Sequence, residues 1–203
     1  MFAVNFVAYN PAFYDAQFKS NDTLAELGIT KAELNDARDK IINYLSGKTD
    51  KLELEGFFNE SEISHMKDAR AVFEFVRVLA MVLVVFGITS LVALFLLNYF
   101  TTSGNGSLWK GIIWGSGAFL GLAALVGLVA LISWNGAFAI FHNIFFPQGN
   151  WQFSSDSAMI TILPAGFFIN AVLIIAGVGV GFAAVLGAAA LVMSLRRRPL
   201  NPH

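Results

Sequence analysis

Cysteine is absent from the 203-residue chain. Its absence excludes disulfide frameworks, thiolate nucleophiles and cysteine-based metal sites. Charged residues are scarce as well, at 13% of the chain, where an ordinary soluble domain has about a quarter. The formal net charge of −1 gives no reason to expect a nucleic acid partner. Hydrophobic residues instead make up 56% of the chain and the mean hydropathy is +0.64, which is typical of a membrane protein.

The few charges are distributed unevenly along the chain. Residues 1–77 contain 9 lysines and arginines and 13 aspartates and glutamates, whereas the remainder contains 4 and 1. This pattern predicts a polar domain over residues 10–70, followed by a membrane part over residues 71–203. Crossing a bilayer takes about 20 apolar residues. The membrane part has three stretches of that length, about 78–97, 111–134 and 167–195.

Local signals in the polar domain predict helices. Thr30 and Glu33 are typical of a capping box, and Gly47 of the end of the helix that follows. A second helix is expected to start after Asn59 and to continue without a break into the first span. The predicted fold is therefore an all-α integral membrane protein, in which a bundle of three transmembrane helices carries a small helical extracytoplasmic domain.

The orientation in the membrane follows from the basic residues. Arg196, Arg197 and Arg198 end the third span and predict a cytoplasmic C-terminus. Counting back, the loop 135–162 and the polar domain lie on the extracytoplasmic face of the cell membrane. That domain would then need an earlier span to carry it across. Residues 1–9 are apolar but too short to cross, so we interpret them as the end of a missing first span.

Two histidines are the best candidates for chemistry. Glu62, His65 and Asp68 follow each other at three-residue spacing and so share one helical face. Either carboxylate could hold one ring nitrogen of His65 and leave the other basic. His142 lies in the loop 135–162, on the same side of the membrane as His65 by the parity of the spans.

Aromatic residues surround His142 in the sequence. Phe138, Phe141 and Phe145 fall at three- and four-residue spacing, which predicts a short helix with one aromatic face. Such a helix, with Trp151 nearby, would lie in the membrane interface, where aromatic rings are enriched. The membrane part is thus expected to include an interfacial aromatic loop.

Other classes of function remain open on these residues. A metal-dependent membrane hydrolase could use His65, Asp68, His142 and Asp156, although no zinc-type spacing supports it. A non-enzymatic sensor or assembly protein would need neither histidine. No metal or other cofactor is predicted.

The two histidine motifs resemble a known family. Its residues here are Glu62-x-x-His65-Met66-x-Asp68, Phe141-His142-x-Ile144-Phe145-Phe146, Trp151-x-Phe153 with Asp156, Leu163-Pro164 and Phe167-Phe168. Together they are similar to the lipoprotein intramolecular transacylases of Gram-positive bacteria, from about Asn10 to the last span. The departure lies at the front, where the family has a first span.

The resemblance implies a reaction and roles for the residues. The sn-2 acyl chain of a diacylglyceryl lipoprotein would move to the α-amine of the same N-terminal cysteine, giving the lyso-form. His65, oriented by Asp68 or Glu62, would be the general base and His142 the general acid, or the two histidines would have the opposite roles. Substrate would contact Glu62, Phe141, Phe145, Asn150 and Trp151. The implied partners are the lipoprotein and membrane lipid.

Overall fold

The computed structural model describes the backbone of residues 1–100 and 106–196. The helices within this part are α1 (Phe2–Tyr9), α2 (Pro11–Ser20), α3 (Thr23–Leu27), α4 (Lys31–Ser46), α5 (Glu60–Phe100), α6 (Gly106–Ile132), α7 (Trp134–Phe145), α8 (Ala158–Ile162) and α9 (Ala165–Arg196). No strand is found among these residues, and only an isolated bridge joins Glu55 to Phe58. The all-α prediction is confirmed.

The local signals that predicted α4 act as expected. The Glu33 carboxylate accepts a hydrogen bond from the Thr30 backbone N–H at 2.8 Å, and Thr30 Oγ1 accepts one from the Glu33 backbone N–H at 3.3 Å. At the other end, Gly47 adopts a positive φ of 80°, which favours glycine. Between them the helix buries one apolar face, formed by Leu34, Ala37, Ile41, Ile42 and Leu45.

Helix α5 runs for 41 residues without a break, as predicted. At 1.5 Å per residue it is about 60 Å long, twice the roughly 30 Å of a bilayer core. Its charged residues all precede Val78, so the membrane-spanning part begins there. His65 lies about 20 Å before Val78 along the helix axis, outside the membrane-spanning segment.

Three helices in the described part of the chain are long and apolar enough to cross a membrane. They are Glu60–Leu96, Leu108–Ile132 and Ala165–Arg196, which matches the expected number of three membrane helices. Large apolar side chains along them, such as Phe86, Leu131 and Phe182, are more than two-thirds exposed. Exposure on this scale suits lipid and not water. Arg197, Arg198 and His203 lie outside the described residues.

The chain divides into two compact units, Met1–Leu79 with Phe138–Ile175, and Ala80–Ala137 with Ala176–His203. The first unit includes more residues than the predicted domain 10–70. At its start, α1 packs on α4 and Val7 joins the common core. Residues after the second span join it too, since the Phe167 ring lies 5.1 Å from that of Phe13. Both candidate histidines fall within this first unit.

The second unit contains most of the apolar helices. There α6 and α9 approach each other closely at a glycine: a Cβ added to Gly179 would lie 3.0 Å from the Phe119 ring. Small residues allow helix backbones to pack closely in lipid, where packing replaces the hydrophobic effect as the driving force.

Candidate functional site

Helices α5 and α7 bring His65 and His142 together. The ring centroids are 6.0 Å apart and the ring planes differ by 21°. Both side chains are buried, with 9% of His65 and 6% of His142 exposed. The two residues are 77 positions apart in the sequence, so the juxtaposition is a product of the fold.

Aromatic rings enclose the histidine pair. Phe146 lies against both, with centroid distances of 4.6 Å to His65 and 5.3 Å to His142. Trp151 lies 4.9 Å from His142, and Phe153 lies 5.5 Å from His65. The enclosure reduces the access of water to both imidazoles, which favours their neutral forms.

A backbone hydrogen bond determines the tautomer of His142. Its Nδ1 lies 2.8 Å from the carbonyl oxygen of Phe138, one turn earlier in α7. A carbonyl oxygen can only accept, so Nδ1 carries the proton and donates it. In the neutral ring Nε2 is therefore the basic nitrogen.

Burial lowers the pKa of both histidines below their ordinary value of 6.5. For His65, burial is the largest influence and the charge of His142 adds to it. The Asn150 side chain, acting as an acceptor at the ring, and the charge of Asp68 oppose them and raise the pKa of His65. For His142, burial outweighs the hydrogen bond to Phe138, which raises the pKa. Both rings are thus neutral at pH 7 and can accept a proton.

Asp68 is near the site, but its hydrogen bonds do not go to His65. Its Oδ2 accepts from Gln148 Nε2 at 2.7 Å and from Asn150 Nδ2 at 2.6 Å. The direct Asp68–His65 contact expected from the sequence therefore requires correction. The Asp68 carboxylate instead binds the side-chain amides of Gln148 and Asn150. These bonds connect the segment after α7 to α5.

Two buried atoms at this place have no hydrogen-bond partner: His65 Nδ1 and Asn150 Oδ1. The Asn150 amide also approaches Ser64, the neighbour of His65, with Nδ2 3.4 Å from Ser64 Oγ. Asn150, predicted to contact substrate, is thus part of the surroundings of His65.

The hydrogen bonds of Glu62 go to groups other than His65, so the interpretation in which Glu62 holds a ring nitrogen of His65 needs correction. The side chain is 1% exposed. Its carboxylate accepts from the backbone N–H of Asn59 at 2.7 Å, from that of Met159 at 3.1 Å, and from Ser157 Oγ. Asn59 starts α5 and Ser157 caps α8, so Glu62 joins the N-termini of two helices.

The aromatic helix predicted around His142 is α7, but its phenylalanines face different ways. Phe138 stacks on His142 at 3.9 Å, because residues four apart lie on one helical face. Phe141 and Phe145 pack on each other at 4.8 Å and remain 45% and 36% exposed. They form an apolar outer face of α7 together with Ile140 and Ile144.

Two of the enclosing rings, Phe138 and Phe153, were missed as site residues, whereas Phe146 had been considered as part of a slot for the acyl chains. The spacing Phe138-x-x-x-His142-x-x-x-Phe146 was a usable signal, since it places both rings on the face of the histidine. Phe153 lies in a loop, where no periodicity indicates its direction.

The four residues considered for a metal site do not come together. The described residues contain no group of three or more histidine, cysteine or carboxylate side chains placed to hold a metal ion. Asp68 is bound to two amides, and Asp156 is exposed.

Comparison with known proteins places the chain in a family. The family model described as lipoprotein intramolecular transacylase Lit matches residues 1–168. The in meso structure of the membrane integral lipoprotein intramolecular transacylase Lit from Bacillus cereus has the same fold, with a TM-score of 0.75. That match has 20% sequence identity and covers 97% of this chain and 89% of the Bacillus protein.

A second relative is an uncharacterized protein of Aquifex aeolicus (strain VF5). It is 29% identical over 137 residues, which are 64% of this chain and 57% of that protein. The match thus spans little more than half the length of the Aquifex protein. The family model, in contrast, covers most of this chain, including both histidine motifs. The chain therefore belongs to the lipoprotein intramolecular transacylase (Lit) family.

Proposed function

We propose that this protein is a lipoprotein intramolecular transacylase that moves the sn-2 acyl chain of a diacylglyceryl lipoprotein to the α-amine of the same N-terminal cysteine. The observation that carries the proposal is the pair of buried histidines, 6.0 Å apart, in an aromatic enclosure. The site lies on the extracytoplasmic face, where the substrate is anchored. The product is the lyso-form lipoprotein.

The proton balance of the reaction calls for two bases. An α-ammonium has an ordinary pKa of about 7.7–8.0, and its nitrogen keeps one hydrogen in the product amide, so it must lose two protons. A new N–C bond forms as the ester C–O bond breaks, and one proton ends on the released glycerol oxygen. The other reaches solvent. Two neutral imidazoles can accept both protons, and one imidazolium then protonates the leaving oxygen.

The burial of the histidines supports this assignment of roles. His142 presents Nε2 as its basic nitrogen, because Nδ1 is bound to Phe138. The same enclosure keeps water from competing with the amine for the ester, so that transfer is favoured over hydrolysis. The exposed face of α7, with Phe141 and Phe145, suits contact with acyl chains or lipid.

Mass spectrometry of a reporter lipoprotein tests the proposal. The host should lack its own N-acylation, and the N-terminal peptide is compared with and without this protein. We expect one acyl chain to move from the glycerol to the α-amine with no change in total mass. Loss of one acyl chain to water would indicate a hydrolase, and an unmodified diacylglyceryl peptide would favour a non-enzymatic binding protein.

A chelator distinguishes the transacylase from a metal-dependent hydrolase. We expect product formation by the purified protein to be unchanged by EDTA, because the proposed chemistry uses only imidazole groups. Loss of activity with EDTA, restored by added zinc, would contradict this.

The pH dependence follows from the lowered pKa of the two histidines. Each ring must be neutral to accept a proton, so we expect kcat to fall as the pH drops through their pKa, with a midpoint below 6.5. Initial rates between about pH 5 and 8 would show it. If kcat instead fell in a single step centred near the pKa of the amine, with no further fall at lower pH, the histidines would not titrate in the reaction.

A further inference from the structure

We propose that Asn150 is a positioning residue that keeps the proton of neutral His65 on Nδ1, and that Asp68 positions His65 by holding the Asn150 amide. The inference rests on the proposed function, because it concerns how His65 becomes a base. It replaces the direct carboxylate–histidine contact expected from the sequence by a chain of three side chains.

The orientation of the Asn150 amide follows from Asp68. A carboxylate can only accept hydrogen bonds, so the NH₂ group of Asn150 must face it, as the 2.6 Å distance from Nδ2 to Oδ2 shows. Oδ1 then points to the other side of the amide. There it is buried and needs a donor.

His65 provides such a donor if its proton is on Nδ1. That nitrogen is also buried without a partner, and the Nδ2 contact to Ser64 places the amide beside His65. With the proton on Nε2 instead, Nδ1 and Oδ1 would both be buried acceptors without a donor. The influence of Asn150 on the pKa of His65, which it raises, agrees with an acceptor at the ring.

The consequence is a matched pair of bases. His142 has its proton on Nδ1 because of the Phe138 carbonyl, and His65 would have it there because of Asn150. Both rings then present Nε2 as the basic nitrogen. Asp68 contributes by holding the amide and polarising it, and its contact with Gln148 ties down the same segment.

Three variants test this series of contacts: Asn150→Ala, Asp68→Asn and the double variant. Gln148→Ala is the matched control. Gln148 donates to the same oxygen of Asp68 as Asn150 does, but it has no link to His65. We expect Asn150→Ala to lower kcat by about 10–100-fold with little change in KM, since the base is misplaced after substrate binds. Asp68→Asn should lower it less, and the double variant should equal Asn150→Ala. Gln148→Ala should retain near-normal kcat.

Two further readouts do not depend on the size of the loss. In Asn150→Ala, the fall of kcat at low pH should occur at a lower pH, because a group that raises the pKa of His65 has been removed. The other charged or titratable groups that act on this ring are Asp68 and His142. In ¹⁵N-histidine NMR, the His65 signal, identified by its loss in His65→Asn, should be that of the Nδ1–H tautomer in the unmodified protein. It should become a mixture of tautomers in Asn150→Ala.

The inference is overturned if Asp68→Asn lowers kcat as much in the Asn150→Ala background as alone, or if the Nδ1–H signal persists in Asn150→Ala. An equal loss in Gln148→Ala would also overturn it, since the loss would then reflect the segment as a whole. Should Asn150→Ala not fold, Asp68→Asn and the NMR of the unmodified protein still decide it. If His65→Asn remains active, the assignment of His65 as a base fails together with the inference. If His65→Asn is inactive but Asn150→Ala remains fully active, the inference alone fails.

Discussion

Replacement of His142 by asparagine is expected to lower formation of the N-acylated product by about 10²–10⁴-fold, the usual contribution of one general acid–base group. Asparagine places an amide near the position of Nδ1 and can keep the hydrogen bond to the Phe138 carbonyl. It lacks Nε2, the nitrogen assigned to proton transfer. The same argument applies to His65→Asn. The measurement is the fraction of reporter peptide carrying an N-acyl group, followed over time.

The third histidine of the chain, His203, serves as the control. His203→Asn removes an imidazole of the same kind from the end of the chain and is expected to leave activity unchanged. Thermal unfolding of each variant should show that α5 and α7 still pack normally. Normal product formation by both His65→Asn and His142→Asn would contradict the histidine mechanism, whatever the family of the protein.

Replacement of Glu62 by glutamine is expected to give the largest loss of stability among single conservative changes at the site. One carboxylate oxygen accepts from Asn59, and the other from Ser157 and Met159. An amide must turn its NH₂ group toward one of these sets of donors, which leaves a buried donor without an acceptor. Hydrogen bonds to charged groups contribute about 1.5–3 kcal/mol each, so thermal unfolding should shift down by several degrees.

Glu60→Gln is the matched control for this change. Glu60 lies in the same first turn of α5 but is exposed, and its replacement should leave the unfolding temperature nearly unchanged. Glu62→Gln protein that remains folded should retain most of its turnover, because the carboxylate is bound to Asn59, Ser157 and Met159 and not to a histidine. A variant with normal stability and no activity would instead make Glu62 part of the chemistry.

The helices could be predicted because each depends on signals close together in the chain. The Thr30–Glu33 capping box and the Gly47 terminus lie within one turn of the helix ends they determine. The membrane spans depend on the number of consecutive apolar residues, since backbone groups in lipid must be bonded within the helix. The same locality explains why α7 was predicted while its buried face was not. Phe138, Phe141 and Phe145 fit one stripe, yet Phe138 lies 3.9 Å from the His142 ring, whereas Phe141 meets that ring edge-on at 5.3 Å and remains, like Phe145, exposed.

The partners of the two acidic residues depend on contacts across long stretches of chain. Glu62 and Asp68 share a helical face with His65, and local spacing alone favours contacts among them. Their actual partners are 95 and 80 positions away, at Ser157 and Gln148. Buried backbone and amide donors need acceptors, and these carboxylates are the acceptors that the fold brings within reach.

The sequence by itself determined that this protein is helical and that it spans the membrane, and it predicted that two histidines lie on one side of it. The helices and spans follow from helix caps and apolar length, and the prediction for the histidines follows from the parity of the spans. Only the tertiary structure decided that the rings meet at 6.0 Å and that aromatic side chains enclose them. It also gave Glu62 and Asp68 hydrogen-bond partners other than the histidines, because side chains on one helix face bind whatever the fold packs against that face.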